Sequence, residues 1–137
     1  MNAKHPSLVV DCIVFDPAGR LLLIRRKHLP FRGQHALPGG YVEYGETTED
    51  AVARELAEET GLVATKVSLL GVYSDPHRDP RGHVVSIAYR IAVAGYDLRA
   101  GDDAADAAFV ADWQDLDLAF DHRKIVEDAV REGTKAE

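Results

Sequence analysis

Two things are scarce in this sequence: cysteine and long apolar runs. Cys12 is the only cysteine among the 137 residues, so the chain cannot form an intramolecular disulfide, and a reducing, cytoplasmic location is expected. No run approaches the roughly 18–20 apolar residues that a membrane-spanning helix needs. The polar segment at positions 1–7 lacks the apolar core of a signal peptide. We therefore expect neither a membrane partner nor secretion.

Positive charge is also in short supply. Lysine and arginine number 16 against 23 aspartate and glutamate residues, which gives a formal net charge of -7. A surface of this sign repels a nucleic-acid polymer unless its basic residues cluster, so no such partner is expected. The excess acid serves solubility or holds cations, and only its placement along the chain separates the two. With 46% hydrophobic residues, the composition is typical of one globular domain spanning residues 1–137.

Apolar periodicity predicts an α+β domain in which helices pack against a mixed sheet. Strands are predicted at 8–15, 20–26, 66–74, 84–93 and 109–113. The first two flank the turn signal at 16–19 and are expected to form a hairpin. One helix is predicted between a cap at Thr47 or Thr48 and a stop at Gly61, and a closing helix at 120–132. The segment 28–40, rich in proline and glycine, is predicted to be a loop.

The acids that need an explanation lie on the first predicted helix. Residues three and four apart share a helix face, so Glu55 lies on one stripe with Glu58 and Glu59. A solvated charged helix usually interleaves lysines at these spacings, and this stripe has none. Like charges this close destabilise a helix unless a cation lies among them. Clustered carboxylate oxygens are the ligands that Mg²⁺ and Mn²⁺ prefer.

Neighbouring residues support such a site. Arg54 lies next to the stripe and can hold a carboxylate through a bidentate pair, while Glu46, just before the helix, can do related work. The pair Gly39-Gly40 allows the backbone to come close to a ligand or an ion. A backbone carbonyl offered there is a further candidate metal ligand.

With these residues the sequence resembles a known family. The spacing G-x5-E-x7-R-E-U-x-E-E-x-G-U, in which U is aliphatic, runs from Gly40 to Leu62 and matches every fixed position of the Nudix box. Nine defined positions at fixed spacing are far more specific than a lone glycine motif. The alternative interpretation is an acidic surface helix that follows a glycine-rich turn.

The resemblance implies an α/β/α sandwich and a loop–helix–loop that presents carboxylates to Mg²⁺ or Mn²⁺. It assigns metal binding to the box glutamates and one backbone carbonyl: Glu55, Glu58, Glu59 and Gly39. It also implies that Arg54 and Glu46 orient these acids. The general base is Glu58, Glu59 or an acid from a loop outside the box, where Asp103 stands at a position often taken by glutamate.

The implied reaction is hydrolysis of a nucleoside diphosphate linked to another group, with the metal polarising phosphoryl oxygens and activating water. Segments 73–83 and 118–125 resemble small microbial ADP-ribose pyrophosphatases, as do 36–47 and 101–105. This similarity implies ADP-ribose as the substrate, and AMP and ribose 5-phosphate as the products. His35 departs from the group, in which a tryptophan commonly precedes Ala36.

Substrate-binding side chains are expected among arginines and aromatic residues outside the box. The candidates are Arg25, Arg26, Arg78 and Arg81 for phosphate or ribose, and Phe120 for the adenine ring. For a single arginine the competing interpretation is surface solvation. Phe31 and Tyr73 are further stacking candidates, although core packing is favoured for at least two of the three aromatic residues. His122, at the start of the closing helix, is expected to be structural.

Two other interpretations remain open. The same chemistry serves Nudix enzymes that act on oxidised nucleoside triphosphates or on other nucleotide sugars. The second alternative is a non-catalytic sensor of ADP-ribose. The Nudix-type transcription regulators that sense such ligands carry a DNA-binding winged helix after the Nudix domain. We expect no such helix, since the chain ends at Glu137, and every box carboxylate is retained, which favours an enzyme. Many family members are dimers, so the resemblance also allows a homodimer.

Overall fold

The computed structural model describes residues 4–99 and 106–135. The strands are β1 Ser7–Ile13, β2 Leu21–Arg25, β3 His35–Ala36, β4 Gly39–Tyr41, β5 Ala64–Tyr73, β6 Val84–Val93 and β7 Asp106–Val110. The helices are α1 Thr48–Thr60 and α2 His122–Lys135, with a short 3-10 helix at Trp113–Asp115. The candidate base Asp103 lies outside the described residues.

Helix α1 begins and ends where its sequence predicts. The Thr47 side chain accepts a hydrogen bond from the Asp50 N–H over 3.1 Å, which satisfies one of the free donors of the first turn. Gly61 ends the helix in the left-handed conformation, at φ +80°, and its N–H donates to the Ala57 carbonyl. Because only glycine adopts this φ without strain, the stop signal is local in origin.

The strands form two sheets. One has the order β4-β1-β6-β5, with β1 parallel to β6 and the other pairs antiparallel. The other has the antiparallel order β3-β2-β7. The expected hairpin of β1 and β2 is therefore wrong beyond a single bridge between Phe15 and Leu21. Both edges of β1 are already paired, with β4 and β6, so β2 has to find partners elsewhere.

Side chains that alternate along β1 and β2 divide one apolar core between the two helices. Val10, Cys12 and Leu22 pack with Val52 and Leu56 on the α1 side. The alternate positions pack on the α2 side: Ile13, Leu21, Leu23, Ile125 and Val126. A mixed β layer thus lies between two helices, and the predicted α/β/α arrangement is confirmed.

Two short strands lie where a loop is expected. Within 28–40, β3 pairs with β2, and β4 pairs with β1 through the register Asp11 to Gly39. This pairing draws the glycine pair to the sheet edge beside α1. The last strand occupies Asp106–Val110 and not 109–113, because the chain turns into the 3-10 helix at Trp113. Neither helix of the described ranges is long and apolar enough to cross a membrane.

Candidate active site

The three glutamates of α1 share a stripe but differ in exposure. The Glu55 side chain is only 15% exposed, whereas that of Glu58 is 56% exposed. Glu59 is half-buried and lines the cleft beside β4. Helical spacing explains why the acids cluster. Packing against β4 decides which of the three glutamates are buried.

Strand β4 approaches its neighbours so closely that two glycines are required. A Cβ atom on Gly39 would lie 2.1 Å from the Val10 carbonyl oxygen, and one on Gly40 would lie 2.6 Å from the Glu55 carboxyl carbon. The Gly39 N–H donates to Glu59 Oε2 over 3.1 Å. The glycine pair therefore brings bare backbone into contact with the box carboxylates.

Arg54 connects the remaining box acids. Its Nε lies 2.7 Å from Glu46 Oε2 and its Nη2 lies 2.9 Å from Glu46 Oε1. Its Nη1 donates to Glu55 Oε1 over 2.8 Å and lies 3.4 Å from Glu58 Oε1. The Arg54 guanidinium holds the pKa of Glu46 at about 2, well below the usual range. Arg54 and Glu46 thus stand where an orienting pair is expected.

At the two inner carboxylates, Glu55 and Glu59, burial outweighs any stabilisation of the charged form. Burial, with the neighbouring Glu55, raises the pKa of Glu59 to about 9. Burial also raises the pKa of Glu55, although Arg54 opposes this shift. Because the pKa of both carboxyl groups is raised, the pair holds a proton more readily than an exposed glutamate does. The pair therefore binds a positive charge in the form of a proton.

This donor set fits a divalent cation. Among residues 4–99 and 106–135, no three His, Cys, Asp or Glu side chains already converge to hold a metal ion. The Glu55–Glu59 pair and the adjoining Gly39–Gly40 backbone nevertheless supply hard oxygen atoms, which Mg²⁺ and Mn²⁺ prefer. A cation there compensates the same buried charge as that proton, and Glu58 stands beside the pair.

A cleft of about 140 Å³ opens next to these carboxylates. Its lining combines Gly39, Gly40 and Glu59 with four substrate-binding candidates: Arg26, Arg78, Arg81 and Phe120. A larger cleft of about 610 Å³ lies between β5 and α2, and its lining includes none of the box carboxylates. Because the acids are what distinguish this chain chemically, the smaller cleft is the candidate active site.

Two guanidiniums lie close to one aromatic ring in this cleft. Arg26 Cζ lies 4.9 Å and Arg81 Cζ 5.5 Å from the centre of the Phe120 ring. Arg26 is fixed by a 2.7 Å hydrogen bond from Nε to the Pro30 carbonyl, and Arg81 by a 2.7 Å ion pair with Asp79. Burial, followed by the nearby positive charge of Arg81, lowers the pKa of Arg26. An anion between the two would relieve their repulsion.

The other two arginine candidates are engaged by protein acceptors. The buried Arg78 donates to both carboxylate oxygens of Asp121, at 2.6 and 3.0 Å, and to the Val84 carbonyl. Arg25 donates to the Gly33 carbonyl at 3.2 Å and is exposed. Arg78 still reaches the wall of the cleft, whereas Arg25 lies outside its lining.

The remaining candidates serve packing to different degrees. The Phe31 ring makes an edge contact with Phe120, with ring centres 4.9 Å apart. The Tyr73 hydroxyl donates to Asp128 in the larger cleft. His35, at the position where a tryptophan is common, is half-buried in β3 and accepts the Ala119 N–H through its carbonyl.

Sequence reasoning missed several polar residues of the site. Asp11 and Ser86 are buried on adjacent strands and hydrogen-bonded to each other, and Asp79 is buried beneath Arg81. The exposed ring of Tyr41 lies 5.8 Å from the Arg81 guanidinium. An aspartate within an otherwise apolar strand is the one signal that could have found Asp11.

The model of one protein family matches most of the chain. The NUDIX domain model covers residues 5–130, which includes the complete box and both sheets. The chain belongs to this family. Its recognition as a Nudix hydrolase from the box residues is therefore confirmed.

Curated relatives and solved structures agree with this assignment. The chain is 56% identical over 128 residues to an ADP-ribose pyrophosphatase of Methanocaldococcus jannaschii, covering 93% of this chain and 75% of the relative. It is 30% identical to an ADPR-responsive transcriptional repressor of Acinetobacter baylyi, covering 90% of this chain but only 53% of that protein. The NUDIX domain of Shewanella oneidensis NrtR, crystallised with ADP ribose, is 29% identical, with a TM-score of 0.85 and coverages of 95% and 90%. Resemblance to small microbial ADP-ribose pyrophosphatases is thus confirmed, and the chain spans about half the length of the repressor.

Proposed function

We propose that this Nudix hydrolase cleaves the diphosphate of ADP-ribose to give AMP and ribose 5-phosphate, with Mg²⁺ or Mn²⁺ as cofactor. The observation that carries the proposal is a cleft whose lining brings together Arg26, Arg81 and Glu59. Paired guanidiniums suit the oxygens of a diphosphate, and a carboxylate suits the cation that a diphosphate carries. The names of the Methanocaldococcus relative and of the Shewanella complex support ADP-ribose in particular.

The box residues divide the work of hydrolysis. When bound, the divalent cation supplies Lewis acidity and charge neutralisation. We assign its ligands to the three box glutamates and the Gly39 carbonyl: Gly39, Glu55, Glu58 and Glu59. Arg54 and Glu46 hold these acids in place, and Glu58 or Glu59 accepts the proton of the attacking water. Asp103 stays an alternative base from the sequence.

Two arginines of the cleft, Arg26 and Arg81, hold the substrate. Both guanidiniums bind phosphate oxygens, and the neighbouring Phe120 ring offers an apolar surface to the base or ribose. Arg78 and Arg25 stay predictions that the geometry supports less, because the Arg78 side chain is only 3% exposed and Arg25 lies outside the lining of this cleft. The cytoplasmic location and the homodimer also stay predictions.

A substrate panel tests the proposal. The purified chain is incubated with Mg²⁺, and in parallel with Mn²⁺, and with ADP-ribose, NADH, diadenosine polyphosphates, sugar nucleotides or 8-oxo-dGTP. Products are separated by ion-exchange chromatography. Glu59→Gln serves as the matched control, because it keeps the shape of the side chain and removes its charge.

The expected result is preferred cleavage of ADP-ribose to AMP and ribose 5-phosphate, with Glu59→Gln nearly inactive. If 8-oxo-dGTP or a sugar nucleotide is cleaved best, the chemistry stands and the substrate assignment is wrong. If neither metal supports cleavage of any compound, while ADP-ribose still binds in calorimetry, the chain is a sensor and not a hydrolase.

A further inference from the structure

The buried His122 links the first turn of α2 to the backbone beside the box. His122 is 4% exposed, and its Nδ1 accepts a hydrogen bond from the Leu37 N–H over 2.9 Å. The two residues are 85 positions apart in the chain. Leu37 is itself 2% exposed, so its N–H needs a protein acceptor, and His122 supplies it.

The hydrogen bond fixes the state of the ring. Because Nδ1 accepts, a neutral His122 carries its proton on Nε2. That Nε2 lies 3.5 Å from Asp11 Oδ1, and Asp11 Oδ2 accepts the Ser86 hydroxyl over 2.5 Å. Asp11 is 5% exposed and Ser86 is fully buried. A buried polar chain therefore runs from β6 through β1 and the imidazole to Leu37.

Leu37 lies two residues before Gly39, whose backbone contacts a box carboxylate. The next residue, Pro38, accepts the Cys12 N–H over 2.9 Å through its carbonyl. The residue after that, Gly39, donates its N–H to Glu59 Oε2. A displacement of Leu37 is therefore passed within two residues to the backbone that contacts the box. In many metal sites, residues that do not bind the metal orient the metal ligands through hydrogen bonds.

We propose that His122 is a positioning residue, whose Nδ1 fixes the Leu37–Gly39 backbone so that Gly39 and Glu59 present their oxygens to one cation. An apolar side chain of similar size would fill the same space but leave the Leu37 N–H without an acceptor. The expectation that His122 is merely structural is thereby extended to a specific task. This inference rests on the proposed divalent-metal site, and it is independent of which nucleotide is cleaved.

Two substitutions of His122 by amide side chains distinguish its hydrogen bond to Leu37 from its contribution to packing. In His122→Asn the amide oxygen takes the place of Nδ1 and accepts the Leu37 N–H. In His122→Gln the longer side chain places its amide near Nε2, facing Asp11, and leaves Leu37 without its acceptor. The two variants carry the same polar group, so they differ in which contact they keep. Ala129→Gly is the control for loss of α2 stability, because Ala129 is buried in the α2-side core.

Two measurements are made on each full-length variant. The first is Mn²⁺ affinity, from the electron paramagnetic resonance signal of free Mn²⁺ well below the unfolding temperature. The second is hydrogen exchange of the Leu37 amide by NMR, which requires neither metal nor substrate. We expect His122→Gln to weaken Mn²⁺ binding by about 10-fold and to accelerate exchange at Leu37. His122→Asn should stay within about 3-fold of the wild type in both, and Ala129→Gly should match the wild type in Mn²⁺ affinity.

Three outcomes would overturn the proposal: His122→Gln binding Mn²⁺ as the wild type does, His122→Asn being as impaired as His122→Gln, or Ala129→Gly weakening Mn²⁺ binding equally. The last would show that α2 stability alone governs the site. Failure of the substrate proposal is distinguishable, because the wild type would then bind Mn²⁺ normally and leave ADP-ribose intact.

Discussion

The Arg54 guanidinium donates two hydrogen bonds to the Glu46 carboxylate, with Nε 2.7 Å from Oε2 and Nη2 2.9 Å from Oε1. The third nitrogen, Nη1, is thereby aimed at Glu55. Glu46 precedes the helix and Glu55 lies within it, so one planar group connects the loop to the face of α1 that carries the box glutamates. Only a forked donor can do this, because an ammonium group has no fixed geometry.

Arg54→Lys should therefore lower kcat by about 10- to 100-fold while the chain stays folded. The charge remains, but the fork that connects Glu46 to Glu55 is lost. The measurement is steady-state cleavage of ADP-ribose, with circular dichroism to verify folding. Arg20→Lys is the matched control, since Arg20 pairs with Asp16 in a turn far along the chain from the box. Equal kcat in the two variants would contradict an orienting role for Arg54.

The stability of the metal-free protein should depend on pH through Glu59. Its pKa is about 9 in the folded chain, against an ordinary value of 4.5. Between these values the folded state holds more protons than the unfolded state, so the free energy of unfolding falls as pH rises. Tm measured in EDTA should decrease from about pH 5 to about pH 9. Glu59→Gln, which stays neutral, should flatten this decrease and raise Tm at pH 8.

Divalent cation provides the control for that slope. Because Mg²⁺ compensates the charge that the proton leaves behind, it should raise Tm of the wild type at pH 8 and have little effect on Glu59→Gln. Other groups titrate in both proteins, so the difference between the two reports on Glu59 together with Glu55, whose pKa depends on it. An identical pH dependence of Tm in both proteins would show that the pKa of Glu59 is not raised in the folded chain.

Arg81→Gln should raise KM for ADP-ribose by about 10-fold, equivalent to ~1.4 kcal/mol, with a smaller change in kcat. The Arg81 side chain is 40% exposed and is held by Asp79, so its guanidinium is placed to bind a substrate phosphate in the ground state. Initial rates over a range of substrate concentrations check this. An unchanged KM, in a variant that unfolds at the wild-type temperature, would remove Arg81 from the substrate site.

Gly40→Ala should lower both activity and Mn²⁺ affinity. The added methyl would meet the Glu55 carboxyl carbon at 2.6 Å, and it can be accommodated only if that side chain swings away. Gly95→Ala is the matched control, because a Cβ there meets no atom within 4 Å. The comparison uses Mn²⁺ titration and ADP-ribose cleavage. If both variants keep wild-type activity, the close approach of Gly40 to Glu55 is not needed for function.

The hairpin shows where sequence reasoning stops. The turn at 16–19 and both flanking strands were predictable, because turn residues and apolar runs act locally. The separation of β1 and β2 into different sheets was not, because it follows from β4 and β6 occupying both edges of β1. The strands β3 and β4 escaped prediction for the same reason: pairing with distant partners makes strands of residues whose composition favours a loop.

By itself the sequence determined the box helix, its cap at Thr47 or Thr48, its stop at Gly61, and the acids that follow helical spacing. These depend on contacts within a few residues, and a fixed spacing encodes them completely. The tertiary structure decided which carboxylates are buried, which arginines share the cleft with Glu59, and how His122 reaches Leu37. Such contacts join residues far apart in the chain, and burial shifts the pKa of Glu59 only after the sheet edge has closed over it.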